Sequence, residues 1–291
     1  MKEIHDRISR YDESYIVKNL NTLEEVNRFT AIFVKDVAEV YDCITRMRNI
    51  DRNPTGFSLN DAPILGLLTR IWKLLKEIVS YYEKNNAEVI SIFERPFIEA
   101  SITAHYLLVS ESEVIEDYRK CSYKDRLRIL RELKAGHYFF DTKAGKRLLK
   151  SVQEKMSLEG FSEQDFKIQK KNRWRLQGKS FFDIFKTISD EDLYKYTYGI
   201  MSESIHGSWN DSMDWCLQKN DDLTFSVFPF SHEADVRFIC PLITFCNEPY
   251  RLWLERIDCE DEYLFEVLDW IERVNKRIFM IFDQKYNGAN C

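Results

Sequence analysis

The sequence predicts an all-α fold, and three observations carry that expectation. Glycine (9) and proline (6) are scarce in 291 residues, too few for the turns that many short strands would need. Several long stretches repeat apolar residues at intervals of three and four, the spacing of one helical face. A convincing extended stretch occurs once, at LTFSVFPF (223–230). With 44% hydrophobic and 14% aromatic residues, the chain can bury one large core or two modest ones.

The first amphipathic helix opens at Thr22, an N-cap candidate with Glu25 three residues on, the spacing of a capping box. Val26, Phe29, Phe33, Val37, Val40 and Ile44 form its apolar stripe, and RNPTGFSLND ends it. Asp61, Ala62 and Pro63 open a second helix that runs to about Tyr82, because proline is accommodated in a first turn. The third, AEVISIFERPFIEASITAHYLLV, follows Asn85 and Asn86; Pro96 removes an amide inside it and predicts a bend near 92–96. EDYRKCSYKDRLRILRELKAG, ending at Gly136, then KAGKRLLKSVQEKMSLEG and SEQDFKIQKKNRW, read as further helices. Ser189 precedes DEDLYKYTYGIMSESIHG, whose acidic first turn suits the positive end of a helix dipole and whose end is marked by His206 and Gly207. Helical runs at about 232–257 and 260–284 complete the chain. These elements divide into an N-terminal helical extension (1–60), a main helical domain (61–260) with a basic central segment (119–179), and a C-terminal helix (261–291) packing on the same domain.

The net charge of −6 conceals an asymmetry. Residues 119–179 hold 18 Lys and Arg against 7 Asp and Glu, leaving 24 against 41 elsewhere. A concentrated basic face attracts nucleic acid even on an acidic body. Within it, KKNRWRLQGK sets Trp174 among Lys170, Lys171, Arg173 and Arg175, a pattern that suits phosphate contact with base stacking. A solvated helix face is the alternative reading. Seven cysteines are scattered without a CxxC pair, and Cys240, Cys246 and His232 read better as packed residues than as ligands, so neither a metal nor another cofactor is expected. No stretch of 18 uncharged apolar residues occurs, and the opening MKEIHDRISRYDESY lacks a secretory apolar run; a cytoplasmic protein without a membrane partner is expected. GxSxG, P-loop, GxGxxG and HExxH motifs are absent, which removes the common hydrolase and NTPase readings.

Two polar stripes stand out by spacing. Arg95 and Glu99 lie four apart on the third helix, and Tyr198, Ser202 and His206 follow at four-residue steps on another. Their neighbours Phe97, Ile98, Ile102, Ile200, Met201 and Ile205 are apolar, so the polar atoms border a core and need partners. Arg95 and Glu99 form a helix ion pair, a partly buried pair that positions other groups, or a directly catalytic pair. In a surface pair glutamate would better precede arginine. His206 either meets the last carbonyls of its helix or moves protons.

These residues also carry a resemblance. ERPFIEASITAHYLL, with Arg95 and Glu99, and YKYTYGIMSESIHGS, with Ser202 and His206, resemble an uncharacterised bacterial family of helical proteins. Its pattern is an Arg-x3-Glu helix before a Tyr/Ser-x3-His-Gly/Ala-Ser helix end. That family is similar in layout to the HEPN superfamily, helical domains of toxins and phage-defence proteins, many of them metal-independent ribonucleases. The resemblance spans roughly residues 60–260. It implies a HEPN-like helical bundle with additional N- and C-terminal helices, RNA as partner, and a homodimer. It also implies a catalytic set of His206, Arg95 and Glu99, with Ser202 and Tyr198 touching substrate or fixing the imidazole tautomer. In such cleavage a histidine moves protons near neutral pH, a cation stabilises the phosphate, and the 2′-hydroxyl is the nucleophile. One departure stands against it: HEPN ribonucleases carry Arg-x4–6-His on one helix, and those positions hold Gly199, Ile200 and Met201. Two functions therefore stay open. One is a metal-independent ribonuclease or RNA-binding protein of a bacterial defence or toxin-like system; the other is a non-catalytic helical module that binds a protein partner or a nucleotide.

Overall fold

The computed structural model describes residues 2–11, 13–121, 123–166 and 175–287. Its helices are α1 (Lys2–Ile8), α2 (Glu13–Asn19), α3 (Leu23–Arg46), α4 (Ala62–Glu83), α5 (Ala87–Leu108), α6 (Ser112–Cys121), α7 (Lys124–Lys134) and α8 (Lys143–Leu158). They continue as α9 (Phe181–Ile188), α10 (Glu191–Leu193), α11 (Ile200–His206), α12 (Trp209–Trp215), α13 (Cys240–Arg256) and α14 (Glu262–Asn287). Among the described residues the one sheet is an antiparallel pair, β1 (Leu217–Lys219) with β2 (Phe225–Val227), in register Leu217 to Val227. The fold is mostly helical, as the sequence predicts. The chain forms two compact units, one of Met1–Val109 with Phe185–Cys291 and one of Ser110–Ile184.

In the first unit, α3 begins where the capping box places it. Thr22 Oγ1 accepts the Glu25 amide at 3.1 Å, and Glu25 Oε2 accepts the Thr22 amide at 2.9 Å. Val26, Phe29, Phe33, Val37, Val40 and Ile44 are all buried. α4 starts beside Pro63, but Asp61 does not cap it. Its carboxylate accepts from Ser58 Oγ at 2.7 Å and pairs with Arg256 at 2.8 Å, because a carboxylate this deeply buried is better compensated by a guanidinium than by one amide. α5 is continuous through Pro96, and Asn86 Oδ1 caps it by accepting the Val89 amide at 3.1 Å.

The helix expected at 232–257 is shorter than its apolar pattern suggests. α13 starts at Cys240 with Pro241 in its first turn, and the preceding residues form a 3-10 turn, Val236–Phe238, capped by Asp235. Proline, having no amide to lose there, sets the helix start. At the centre of the unit the Tyr41 and Tyr250 rings stack at 3.9 Å. Tyr41 Oη donates to Asn247 Oδ1 at 3.0 Å, Asn247 Nδ2 to the Leu268 carbonyl at 3.0 Å, and Tyr250 Oη to the Leu68 carbonyl at 2.7 Å. These bonds tie α3, α4, α13 and α14 through groups whose burial would otherwise be costly.

In the second unit, Tyr123, Leu130, Val152 and Met156 form a small core with Leu149 and Phe161 against it. Thr142 caps α8 by accepting the Gly145 amide at 3.0 Å. Gly145 is required there, since a Cβ would lie 2.2 Å from the Phe139 carbonyl oxygen. SEQDF forms a 3-10 turn, Glu163–Phe166, rather than the α-helix expected from its charge pattern, and 167–174 lie outside the described residues.

Candidate functional site

The site is built where α11 packs on α5. On α5, Arg95 and Glu99 are one turn apart, and Arg95 Nε donates to Glu99 Oε1 at 3.2 Å. The facing run starts at Asp190, whose Oδ1 accepts the Asp192 amide at 2.7 Å. It passes through α10 into a π-helical segment, Tyr194–Gly199, and then into α11. A π-turn holds more residues than an α-turn and is often found at functional sites. Gly207, at φ +58°, closes the helix in the left-handed conformation that glycine adopts without strain.

Four side chains from these two helices meet. Tyr198, 6% exposed, donates its hydroxyl to Glu99 Oε1, and the Arg95 guanidinium lies over the Tyr198 ring, 4.8 Å from its centroid. Arg95 Nη1 lies 3.3 Å from His206 Nε2. A guanidinium only donates, so Nε2 is the acceptor and the imidazole proton sits on Nδ1. The cap therefore belongs to Gly207, and the His206 ring reaches Arg95 from an exposed position. Ser202 Oγ donates to the Tyr198 carbonyl at 2.9 Å, one turn back on its own chain.

Electrostatics fix two of these groups. Burial opposes the Arg95 charge, but the Tyr198 oxygen and the Glu99 carboxylate outweigh it and hold the guanidinium above its ordinary range. Burial, reinforced by the hydrogen bond to Glu99, pushes the Tyr198 phenol well up, so it stays a neutral donor. Tyr194 belongs to the same group. Its ring lies 5.1 Å from that of Tyr198 and 5.4 Å from that of Phe185, and burial raises its phenol too. The four-residue period of Tyr198, Ser202 and His206 extends back to Tyr194, which is the signal that could have found it.

The KKNRWRLQGK run is placed only from Arg175 onward. Lys170, Lys171, Arg173 and Trp174 lie outside the described residues. Arg175 is 43% exposed at the side chain; it donates to the Gly178 carbonyl at 3.4 Å and lies 3.7 Å from the Asp183 carboxylate. Among the described residues no group of three His, Cys, Asp or Glu is placed to hold a metal ion. Cys240 and Cys246 are buried, and burial pushes the Cys246 thiol up to about 12. His232 is packed between Trp215 and Phe228. No helix among the described residues is long and apolar enough to cross a membrane.

Fold and cluster define a mostly helical protein with an Arg–Glu–Tyr–His set shared between two packed helices. The chain belongs to DUF5677, a family of unknown function whose model matches residues 61–223. That span contains α4, α5, the second unit and every member of the cluster. No curated protein and no solved structure matches the chain.

Proposed function

We propose that the protein is a HEPN-like, metal-independent endoribonuclease, acting as a homodimer on RNA in a bacterial defence or toxin-like setting in the cytoplasm. The observation that carries this reading is the 3.3 Å approach of Arg95 Nη1 to His206 Nε2 at an exposed helix end. A proton-transfer group and a cation that Glu99 and Tyr198 hold in place are the two parts such chemistry needs. Arg95 supplies from the neighbouring helix the cation that the His206 helix lacks at Gly199, Ile200 and Met201.

The resting contact suggests the order of events. An incoming phosphodiester offers anionic oxygens, which bind a guanidinium more strongly than a neutral imidazole does. Arg95 turns to the phosphate and frees Nε2, which takes the proton from the 2′-hydroxyl. The 2′ oxygen then attacks phosphorus, the bond to the 5′ oxygen breaks, that oxygen takes a proton from water, and the hydroxide left behind takes the proton back from Nε2. The products are a 2′,3′-cyclic phosphate and a 5′-hydroxyl.

The test incubates wild type, His206→Ala and Arg95→Ala with total RNA, with and without EDTA, and examines the new ends. Wild type is expected to leave cyclic phosphates in either condition, and both variants to remain folded and inactive. Cleavage that persists in His206→Ala overturns the catalytic assignment.

A second reading, an interaction module for a protein partner or nucleotide, is favoured by apolar side chains close to His206 in the chain. Tyr196, Ile200 and Trp209 are 72%, 60% and 59% exposed. Trp209 packs edge-on against Phe225 of β2, itself 43% exposed. Such exposure marks interaction surfaces more often than isolated surface residues do. Absence of cleavage by every form, with candidate partners added, would favour this reading.

A further inference from the structure

The helices that carry the Arg95 cluster also border a second concavity. α5, α9, α13 and α14, with the turn at α10, enclose a cleft of about 710 Å3, within the roughly 300–1,000 Å3 typical of small-molecule sites. Its walls include Ile102, Ile188, Leu193, Ile243, Phe245 and Phe279. Leu193, Phe279 and the adjoining Met280 are 44%, 39% and 42% exposed, a cost that an apolar ligand would remove.

The polar lining is unbalanced. Two carboxylates, Glu248 and Glu272, face the cleft against one ammonium, Lys276. Arg251 does not correct the difference, because Glu248, at 3.5 Å, shares it with Asp269. Those three carboxylates and two cations leave one negative charge. Burial holds His105 below its ordinary value and therefore neutral, so it adds no cation near pH 7. Asn275, 5% exposed, donates Nδ2 to the Cys240 carbonyl at 3.0 Å and to Thr244 Oγ1 at 3.3 Å, while its Oδ1 has no donor among the described residues. Carboxylates thus exceed cations around an apolar space.

We propose that this cleft binds a small amphiphilic cation, an apolar or aromatic body ending in a protonated amine. The body lies among Ile243, Phe245 and Phe279, and the ammonium sits at Glu248 and Glu272. A carboxylate of the same shape would meet two carboxylates and is rejected. None of these residues belongs to the Arg95 cluster, so the proposal stands apart from the ribonuclease reading.

The test titrates the full chain with two fluorophores that differ in charge, dansylcadaverine with a primary amine and dansylglycine with a carboxylate. Saturable binding of the amine probe is expected, about five- to tenfold tighter than the carboxylate probe. Glu248→Gln with Glu272→Gln should reverse the preference, since Asp269 alone then faces Arg251 and Lys276. Thr244→Trp, at an exposed position on the lining, should fill the cleft and remove both, with circular dichroism unchanged. Met280→Arg, at the rim, should bring the two affinities together and serves where Thr244→Trp perturbs the fold. Equal affinities in wild type, no saturable binding of either probe, or binding indifferent to Thr244→Trp and Met280→Arg overturns the proposal.

Discussion

In the first unit Trp253, Tyr41, Tyr250 and Phe97 are fully buried, and long helices pack on α5 from several sides. In the second, a cluster of Tyr123, Leu130, Val152 and Met156 holds the core, while 18 Lys and Arg meet 12 Asp and Glu over the same residues. The contrast separates two ways of presenting charge. Arg95 is one cation held by named partners on a stiff scaffold, so its position is specified. The basic segment holds many cations in a unit with a small core, so an attraction for nucleic acid, if it is the proposed RNA contact, would depend on number and salt rather than geometry.

Core substitutions should separate the units most widely. Trp253→Ala is expected to destabilise the first unit by about 3–5 kcal/mol, and Met156→Ala the second by about 2 kcal/mol, since a small core leaves less to lose. Hydrogen exchange read along the chain checks this: Met156→Ala should expose α7 and α8 amides while α3, α4 and α5 stay protected. Loss of protection in both units from Met156→Ala would show that they unfold together.

A second test uses a carboxyl buried one residue before Arg95. Glu94 is 7% exposed, and burial raises its carboxyl to about 8. The folded state thus binds this proton more tightly than the unfolded chain, whose value is 4.5. Its contribution is complete below 4.5 and is lost as pH rises toward 8. Glu94→Gln should flatten the decline between pH 5 and 8.5, a difference on the order of 2–3 kcal/mol in unfolding free energy. Parallel pH profiles for wild type and variant would place Glu94 in a wetter environment.

Much of the fold was legible because its signals are local. Thr22 with Glu25, Pro63 after Asp61, and Gly207 after His206 each mark a boundary with neighbouring atoms alone. The misread stretches depended on context. Residues 232–239 read as one run with α13 in the sequence, but Pro241 and the Asp235 cap exclude them from the helix. The four-residue stripes gave the members of the cluster; they could not show that the His206 ring would reach Arg95, because that requires α11 to pack on α5. The π-helical segment was likewise invisible, since its apolar spacing is that of an α-helix.

His206→Asn probes the cluster at smaller cost. Gly207 closes the helix whatever precedes it, and an asparagine Oδ1 can accept from Arg95 Nη1, so the stability change should be no more than about 1 kcal/mol. An amide does not titrate near neutral pH. A ribonuclease must therefore lose its cleavage in this variant while its melting temperature barely moves. An interaction module would keep its partner affinity, and that outcome would assign His206 to structure.

The smallest effect on stability belongs to the basic segment, and it makes the cleanest test of charge presented by number. Reversing Lys170, Lys171, Arg173 and Arg175 to glutamate should change unfolding free energy by no more than about 0.5 kcal/mol, as expected of a run whose charge pattern in the sequence reads as solvated. Arg175 contacts Gly178 and Asp183, so its single reversal is expected to use most of that range. RNA affinity should nevertheless fall steeply. If each cation neutralises one phosphate of a single strand, the slope of log K against log salt becomes shallower by about 0.7 per residue, or about 2.8 for all four. Single reversals should then give nearly equal steps, whereas a geometrically specified contact such as Arg95 would concentrate the loss in one residue. Unchanged affinity and slope in the fourfold variant would remove this segment from RNA binding and leave the Arg95 cluster as the only proposed contact with the nucleic acid.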